Sequence, residues 1–214
     1  MPQQRSKNGE AAVLRSKELG KNRFAYFTND LNKLAVERFE LENALSLALE
    51  KEQFEVFFQP RVDAIGKTVS AEALIRSRRD DGQLISPALF INVLEDTELI
   101  VPVGYWVLVN ACKECIKWHN QGFTHMKISV NLSMRQFLNG SIIEDIRKAL
   151  LESALEAEFL ELELTESLFA ENPDETLSIL KAIKAFGIHI SLDDFGTGYS
   201  SLSYLRKFPI DCLK

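Results

Sequence analysis

Six polar side chains sit in or beside apolar-alternating runs: Glu72 in "AEALIR", Asn131 in "KISVNLS", Glu163 in "FLELELTE", Asp193 and Asp194 in "IHISLDD", and Lys214 in "IDCLK". Five of them offer hard oxygen donors. Such donors suit Mg²⁺ or Mn²⁺ rather than Zn²⁺, and a chain with three His and three Cys has few softer ligands to offer. Carboxylates crowded at one point repel and raise one another's pKa unless cations lie between them. Two divalent ions about 3.5–4 Å apart are the usual solution for phosphodiester hydrolysis. Lys214 is then placed to hold the attacking water or to carry developing phosphate charge. Arg76 follows Glu72 by four residues, about 13 Å further along an extended strand, which puts a phosphate-binding fork at the rim.

The elements that must position these groups alternate between two textures. From Phe54 onward, short β-prone runs ("FEVFFQPRVD", "VSAEALIR", "MKISVNLS", "FLELELTES", "IHISLDDF", "IDCLK") alternate with helical patterns. The helical patterns are "SPALFINVLEDTELI", "GYWVLVNACKECIKWHNQG", "GSIIEDIRKALLESAL" and "NPDETLSILKAIKAFG". Gly122 and Gly187 stand where helices should end, and Pro173 near a helix start. This alternation predicts βαβ units and a parallel sheet. Parity divides the strands. Ile128, Val130 and Leu132 share one face, as do Leu160, Leu162 and Leu164, and Ile188, Ile190 and Leu192. Ser129, Asn131, Glu161, Glu163, His189, Ser191 and Asp193 take the other. A sheet covered on both faces is apolar on both. One apolar and one polar parity instead predict a barrel, with the polar parity in the lumen and the site at the carboxyl ends of the strands.

Composition restricts the function classes. A net charge of −6, with Lys and Arg scattered among acids, argues against a nucleic-acid polymer as partner. No run of eighteen apolar residues exists, and "MPQQRSKNGE" has no apolar core for a signal peptide. Three cysteines make no disulfide framework, so a reducing cytoplasm is the expected location. Cys112 and Cys115 form a CxxC, but within a helical pattern and without a second pair, which favours a structural role. The zone from about Glu10 to Gln53 is charged and helical. Leu31, Leu34, Leu41, Leu45 and Leu49 fall on one stripe, with Val36, Phe39 and Leu47 off it. A packed linker or a homodimer seam fits that pattern.

"AEALIR", "ISVNLSMRQF", "LELELTES" and "LDDFGTGYSSLSYLRKFPIDCLK" together resemble the motifs of the EAL domain, a family of bacterial cyclic di-GMP phosphodiesterases, in order and spacing from about Phe54 to the last residue. The resemblance implies a TIM-like barrel whose first strand runs antiparallel. It implies Glu72, Asn131, Glu163 and Asp193 as metal ligands, Asp194 at a second metal and its water, and Lys214 as the active-site lysine. It also implies that Gln59 of "FFQP" and Arg76 contact substrate and that Glu166 anchors the "DDFGTG" loop. The stretch "AAVLRSKELGKNRFAYF" is similar to the end of a GGDEF cyclase domain, without the cyclase signature. The expected organisation is therefore a GGDEF-like remnant over 1–28, a linker helix over 29–52 and an EAL domain over 53–214.

Two departures stand out. The family usually carries an aromatic where Ser77 follows "IR", which touches the expected groove wall. A complete (β/α)₈ barrel takes about 250 residues, and only five strands and the start of a sixth are legible here. That predicts an incomplete barrel, an open sheet edge prone to self-association, and negligible turnover by the isolated chain. Hydrolysis of cyclic di-GMP to linear pGpG is the favoured function; the alternative is a binding or regulatory EAL module that has lost catalysis. Individually each feature has a plainer reading: "DD" as a turn, Asn131 as a helix cap, Glu163 as an exposed residue on an edge strand.

Overall fold

The computed structural model describes residues 29–79, 81–166, 168, 172–193 and 207–214. Asp194, the stretch 1–28 and the "FGTGYSSLSYLR" loop lie outside them. The chain divides between Lys51 and Glu52 into two compact units.

Among the described residues, the first unit contributes one helix, α1 (Asn29–Ala48). Leu45 and Ala48 are buried, while Val36, Phe39 and Leu47 are exposed, which follows the expected stripe. Arg38 pairs with Glu42, and Lys33 with Glu37, each one turn apart.

The second unit is one sheet with helices against it. Strands β1 (Phe54–Val62) and β2 (Thr68–Arg78) form an antiparallel hairpin. A short strand β3 (Leu84–Ile85) returns against Ser77 and Arg78. Four further strands continue from β2 in parallel: β4 (Lys127–Asn131), β5 (Leu160–Thr165), β6 (His189–Asp193) and β7 (Cys212–Leu213). The order β1-β2-β4-β5-β6-β7, with its first strand reversed, is the expected incomplete TIM-like α/β barrel. Helices α2 (Pro87–Asp96), α3 (Ile100–Asn120), α4 (Met134–Leu138), α5 (Ile142–Ser153) and α6 (Pro173–Ala185) fill the connections.

The pleat sorts the side chains as parity requires. Ile128, Leu160, Leu162, Leu164, Ile188, Ile190 and Leu192 are all 0–1% exposed and join α3 residues Val107, Leu108, Ala111, Cys112 and Cys115 in one core. These α3 positions recur at helical spacing, so one apolar stripe meets the outer face of the sheet. Burial pushes both Cys112 and Cys115 thiols up to about 12, so the CxxC is inert packing. His119 closes the same helix end, with its Nε2 2.8 Å from the Met126 carbonyl. Gly122 (φ 98°) and Gly187 (φ 91°) end α3 and α6 in the left-handed region, and Pro173 occupies the first turn of α6.

The structure departs from the sequence reading in three places. Helix α3 begins at Ile100, so Gly104 lies inside it rather than before it. Ser133 and Gln136 form a capping box that starts the short helix α4. The buried Gln136 amide passes over Gly104, where a Cβ would lie 2.5 Å from its Cδ. A side chain at 104 would have to displace the Gln136 amide from its capping box, a cost that offsets glycine's low helix propensity. Ser77 is 2% exposed on the same parity as the buried Ala71 and Ala73, so the expected change in the groove wall does not occur. It faces away from the lumen.

Strand β7 is short, yet it is fixed at its entry. The Asp211 carboxylate accepts from Ile190 N at 2.8 Å and from Lys184 Nζ at 2.7 Å, and Asp211 N donates to the Ile190 carbonyl. Burial works against the Asp211 charge, but these bonds and the lysine hold its pKa below the ordinary 3.8. A depressed carboxylate stabilises the fold fully above its unfolded value and less as pH falls through the folded one.

Two outcomes follow from this packing. Gly104→Ala should cost about 1–3 kcal/mol in urea unfolding, and adding Gln136→Ala should recover part of it. A gain in stability, as for an exposed helical glycine, would contradict the close approach. Asp211→Asn should lower the melting temperature at pH 7 and flatten the loss of stability below about pH 3.8. An unchanged acid slope would remove Asp211 from the anchoring of β7.

Candidate active site

Register brings the lumen groups together. Asn131 stands opposite Glu163 on the β4–β5 ladder, and Glu72 lies beside Ser129 on β2–β4. Asn131 Nδ2 donates to Glu72 Oε1 at 2.8 Å. The helix cap nearby is Ser133, so Asn131 is the last residue of a strand and not a cap. Glu163 lies on an interior strand with its side chain 1% exposed, which removes the edge-strand reading. Asp193 ends β6 opposite Thr165, one row further toward the carboxyl ends.

Lys214 arrives on the next strand, its backbone N–H donating to the Leu192 carbonyl at 2.8 Å. Its Nζ lies 2.6 Å from Glu161 Oε1 and 3.0 Å from Glu163 Oε2. The second contact is an ion pair without hydrogen-bond geometry, since Glu163 Oε2 is buried with no hydrogen-bond donor. A buried carboxylate oxygen without a donor is costly unless a cation faces it.

A second cation comes from β1. Arg61 Nη2 lies 2.9 Å from Glu72 Oε2 and also donates to Glu163 Oε1, while Nη1 lies 3.4 Å from Glu161 Oε1. Burial disfavours the guanidinium charge, but hydrogen bonds to Glu163 and Glu72 outweigh it and raise its pKa. Burial likewise disfavours ionised Glu161. Hydrogen bonds from Lys214 and Ser191, with the charges of Lys214 and Arg61, hold its pKa below the ordinary range.

Arg61, Glu161 and Ser191 were not singled out from the sequence as site residues. Their parity contained the signal: Arg61 shares a face with Gln59, Glu161 with Glu163, and Ser191 with Asp193. Gln59 lies opposite Glu72 on the hairpin and is exposed. Arg76 lies further along β2, its guanidinium 5.7 Å from the Phe57 ring centroid and its Nη1 donating to the Ile75 carbonyl. Phe57, 41% exposed, thus forms an aromatic wall beside the rim arginine. Glu166 is buried just after β5, and the loop it is expected to anchor lies outside the described residues.

The donor set fits a hard divalent cation. Glu72 and Glu163 both bring carboxylates to Arg61, Asn131 adjoins them with its Nδ2 on Glu72, and the Glu163 oxygen without a hydrogen-bond donor is the vertex such an ion would satisfy. Among the described residues no three carboxylates, imidazoles or thiols are gathered closely enough to enclose an ion, and Arg61 contacts both Glu72 and Glu163.

The sequence profile of the EAL domain matches residues 42–214. The bifunctional diguanylate cyclase/cyclic di-GMP phosphodiesterase MucR of Pseudomonas aeruginosa is 40% identical over 208 residues, covering 97% of this chain and 30% of MucR. Cyclic di-GMP phosphodiesterase PdeR of Escherichia coli is 36% identical over 208 residues, covering 97% of this chain and 31% of PdeR. The chain thus spans about a third of the length of these relatives. Among solved structures, the PaMucR phosphodiesterase in its c-di-GMP complex superposes with a TM-score of 0.78 at 42% identity, over 81% of this chain and 71% of that one. The EAL enzyme Bd1971, bound to cAMP and cyclic-di-GMP, gives 0.78 at 28% identity, over 94% of this chain and 53% of that one. With this profile, these relatives and the reversed first strand of its barrel, the chain belongs to the EAL domain family.

Proposed function

We propose that the EAL domain to which this chain belongs hydrolyses cyclic di-GMP to linear pGpG at the carboxyl ends of its strands, with Mg²⁺ or Mn²⁺ held by Glu72, Asn131, Glu163 and Asp193. The observation that carries this reading is the convergence of Glu72, Asn131, Glu163 and Lys214 in one contacting set, drawn from four strand segments. The phosphodiesterase names of MucR and PdeR, and the c-di-GMP in the PaMucR complex, support the substrate. Such cations, when bound, supply a water acidic enough to attack near neutral pH and a Lewis acid for the phosphate. Asp194, adjacent to Asp193, takes the second cation and its water in this reading.

The remaining work falls to the chain's own groups. Lys214, held by Glu161 and facing Glu163, orients the attacking water and offsets charge on the phosphate. Arg76 and Gln59 bind substrate at the rim, and the exposed face of Phe57 offers a guanine a stacking surface. Glu166 anchors the loop that carries Asp194.

A cyclase-domain tail over 1–28, joined by the helix to the EAL domain, completes the proposed organisation; the bifunctional MucR supports it. A homodimer through α1 is the corresponding proposal for its exposed Val36 and Phe39. Free Cys112, Cys115 and Cys212 support a cytoplasmic setting. No described helix is long and apolar enough to cross a membrane.

Turnover and binding test this function together. Linear dinucleotide, followed by chromatography, should form with Mg²⁺ or Mn²⁺ when this domain is assayed within a protein as long as its relatives, and stop in a chelator; the isolated chain is expected to turn over negligibly. Glu163→Gln and Lys214→Met should each lower the rate by about 10²-fold or more. Bound labelled cyclic di-GMP should fall in Arg76→Ala. Undiminished turnover in Glu163→Gln, or undiminished binding in Arg76→Ala, would contradict the assignment.

A further inference from the structure

Arg61 occupies an unusual position for a side chain with no assigned part in the reaction. Its Nη2 touches carboxylate oxygens of both Glu72 and Glu163, the two acidic groups that Asn131 also borders. Its Nη1 reaches a third, Glu161. Glu163 is 1% exposed and Arg61 25% exposed, so this charge cluster has little help from solvent. Among the contacts of the described residues, three carboxylates (Glu72, Glu161 and Glu163) meet two cations, Arg61 and Lys214.

Without a cation between them, Glu72 and Glu163 would repel, and the buried Glu163 carboxylate would stand without a counter-charge on that side. A guanidinium suits this task better than an ammonium. It stays protonated at any working pH and presents several N–H groups in a rigid fork, so it can touch three acids at once. It does so, however, on oxygens that a metal would need.

Building on the metal-dependent reading above, we propose that Arg61 is a tethered counter-cation. It holds the ligand carboxylates together in the metal-free protein and competes with the divalent ion for Glu72 and Glu163. When the ion enters, the guanidinium withdraws toward Glu161, which is outside the proposed ligand set. Metal binding is then an exchange of cations at a site already assembled, and Arg61 sets both the stability of the empty site and its affinity.

The test compares wild type with Arg61→Gln and Arg61→Lys in the full chain. Mn²⁺ affinity is read from the electron paramagnetic resonance of free Mn²⁺, and melting temperature from circular dichroism in chelator and in Mn²⁺. Arg61→Gln should melt lower in chelator, bind Mn²⁺ about tenfold or more tightly, and gain more melting temperature from the ion than wild type does. Arg61→Lys, with one compact charge, should fall between. Folding of Arg61→Gln only in Mn²⁺ would be the extreme form of the same result. Folded Arg61→Gln that binds Mn²⁺ no better than wild type would overturn the inference. If Arg61→Gln does not fold at all, Arg61→Lys decides: tighter binding than wild type supports competition, equal or weaker binding overturns it. Absence of Mn²⁺ binding by wild type and both variants would overturn the metal reading itself, and this inference with it.

Discussion

A buried carboxylate, Glu163, sets the terms for everything around it. It lies on an interior strand with its side chain 1% exposed and is paired by Arg61 on one side and Lys214 on the other. An ion in that position without partners would cost several kcal/mol. The lumen therefore needs the hairpin that delivers Arg61 and the strand that delivers Lys214. Those two segments are far apart in sequence and adjacent to the same glutamate only because the sheet curls between them.

The sheet achieves this through its pleat. Alternate residues of β4, β5 and β6 go to an apolar outer face against α3, and the intervening residues to a polar inner face. Burial of the outer face supplies the stabilisation. The inner face contributes little of it and is arranged for charge. Fine positioning comes from the ends of elements. Asp211 fixes the entry of β7, three residues before Lys214, and Ser133 caps α4 just after Asn131. A site assembled from strand ends depends on such anchors, because the groups it uses lie where regular pairing stops.

Much of this was legible in the residues. Parity separated Ile128, Leu162 and Ile190 from Asn131, Glu163 and Asp193 before any coordinates, and it implied a barrel rather than a sheet covered on both faces. The helix ends at Gly122 and Gly187 followed from glycine's tolerance of positive φ. Other features depended on contacts between distant segments. Gly104 read as a boundary because its reason for lying within α3 is the Gln136 amide, which belongs to another helix. Strand β3 is two residues long and has no period to detect. Ser77 was assigned to the groove wall because the EAL family usually carries an aromatic there, whereas its parity carries it to the outer face. Arg61 reaches its three partners through the hairpin register, which shifts between Arg61 and Val62; no local pattern encodes that shift.

In the proposed exchange, protein cations rather than a metal assemble this carboxylate site, and an incoming ion takes over their contacts. Crystal structures of the chain grown in chelator and in Mn²⁺, with anomalous scattering to locate the metal, examine that claim most directly. The chelator form should keep the Arg61 guanidinium on Glu72 and Glu163. The Mn²⁺ form should show an anomalous peak against those two carboxylates, with the guanidinium withdrawn toward Glu161. Manganese bound elsewhere, or bound there with Arg61 still on both glutamates, would contradict the account.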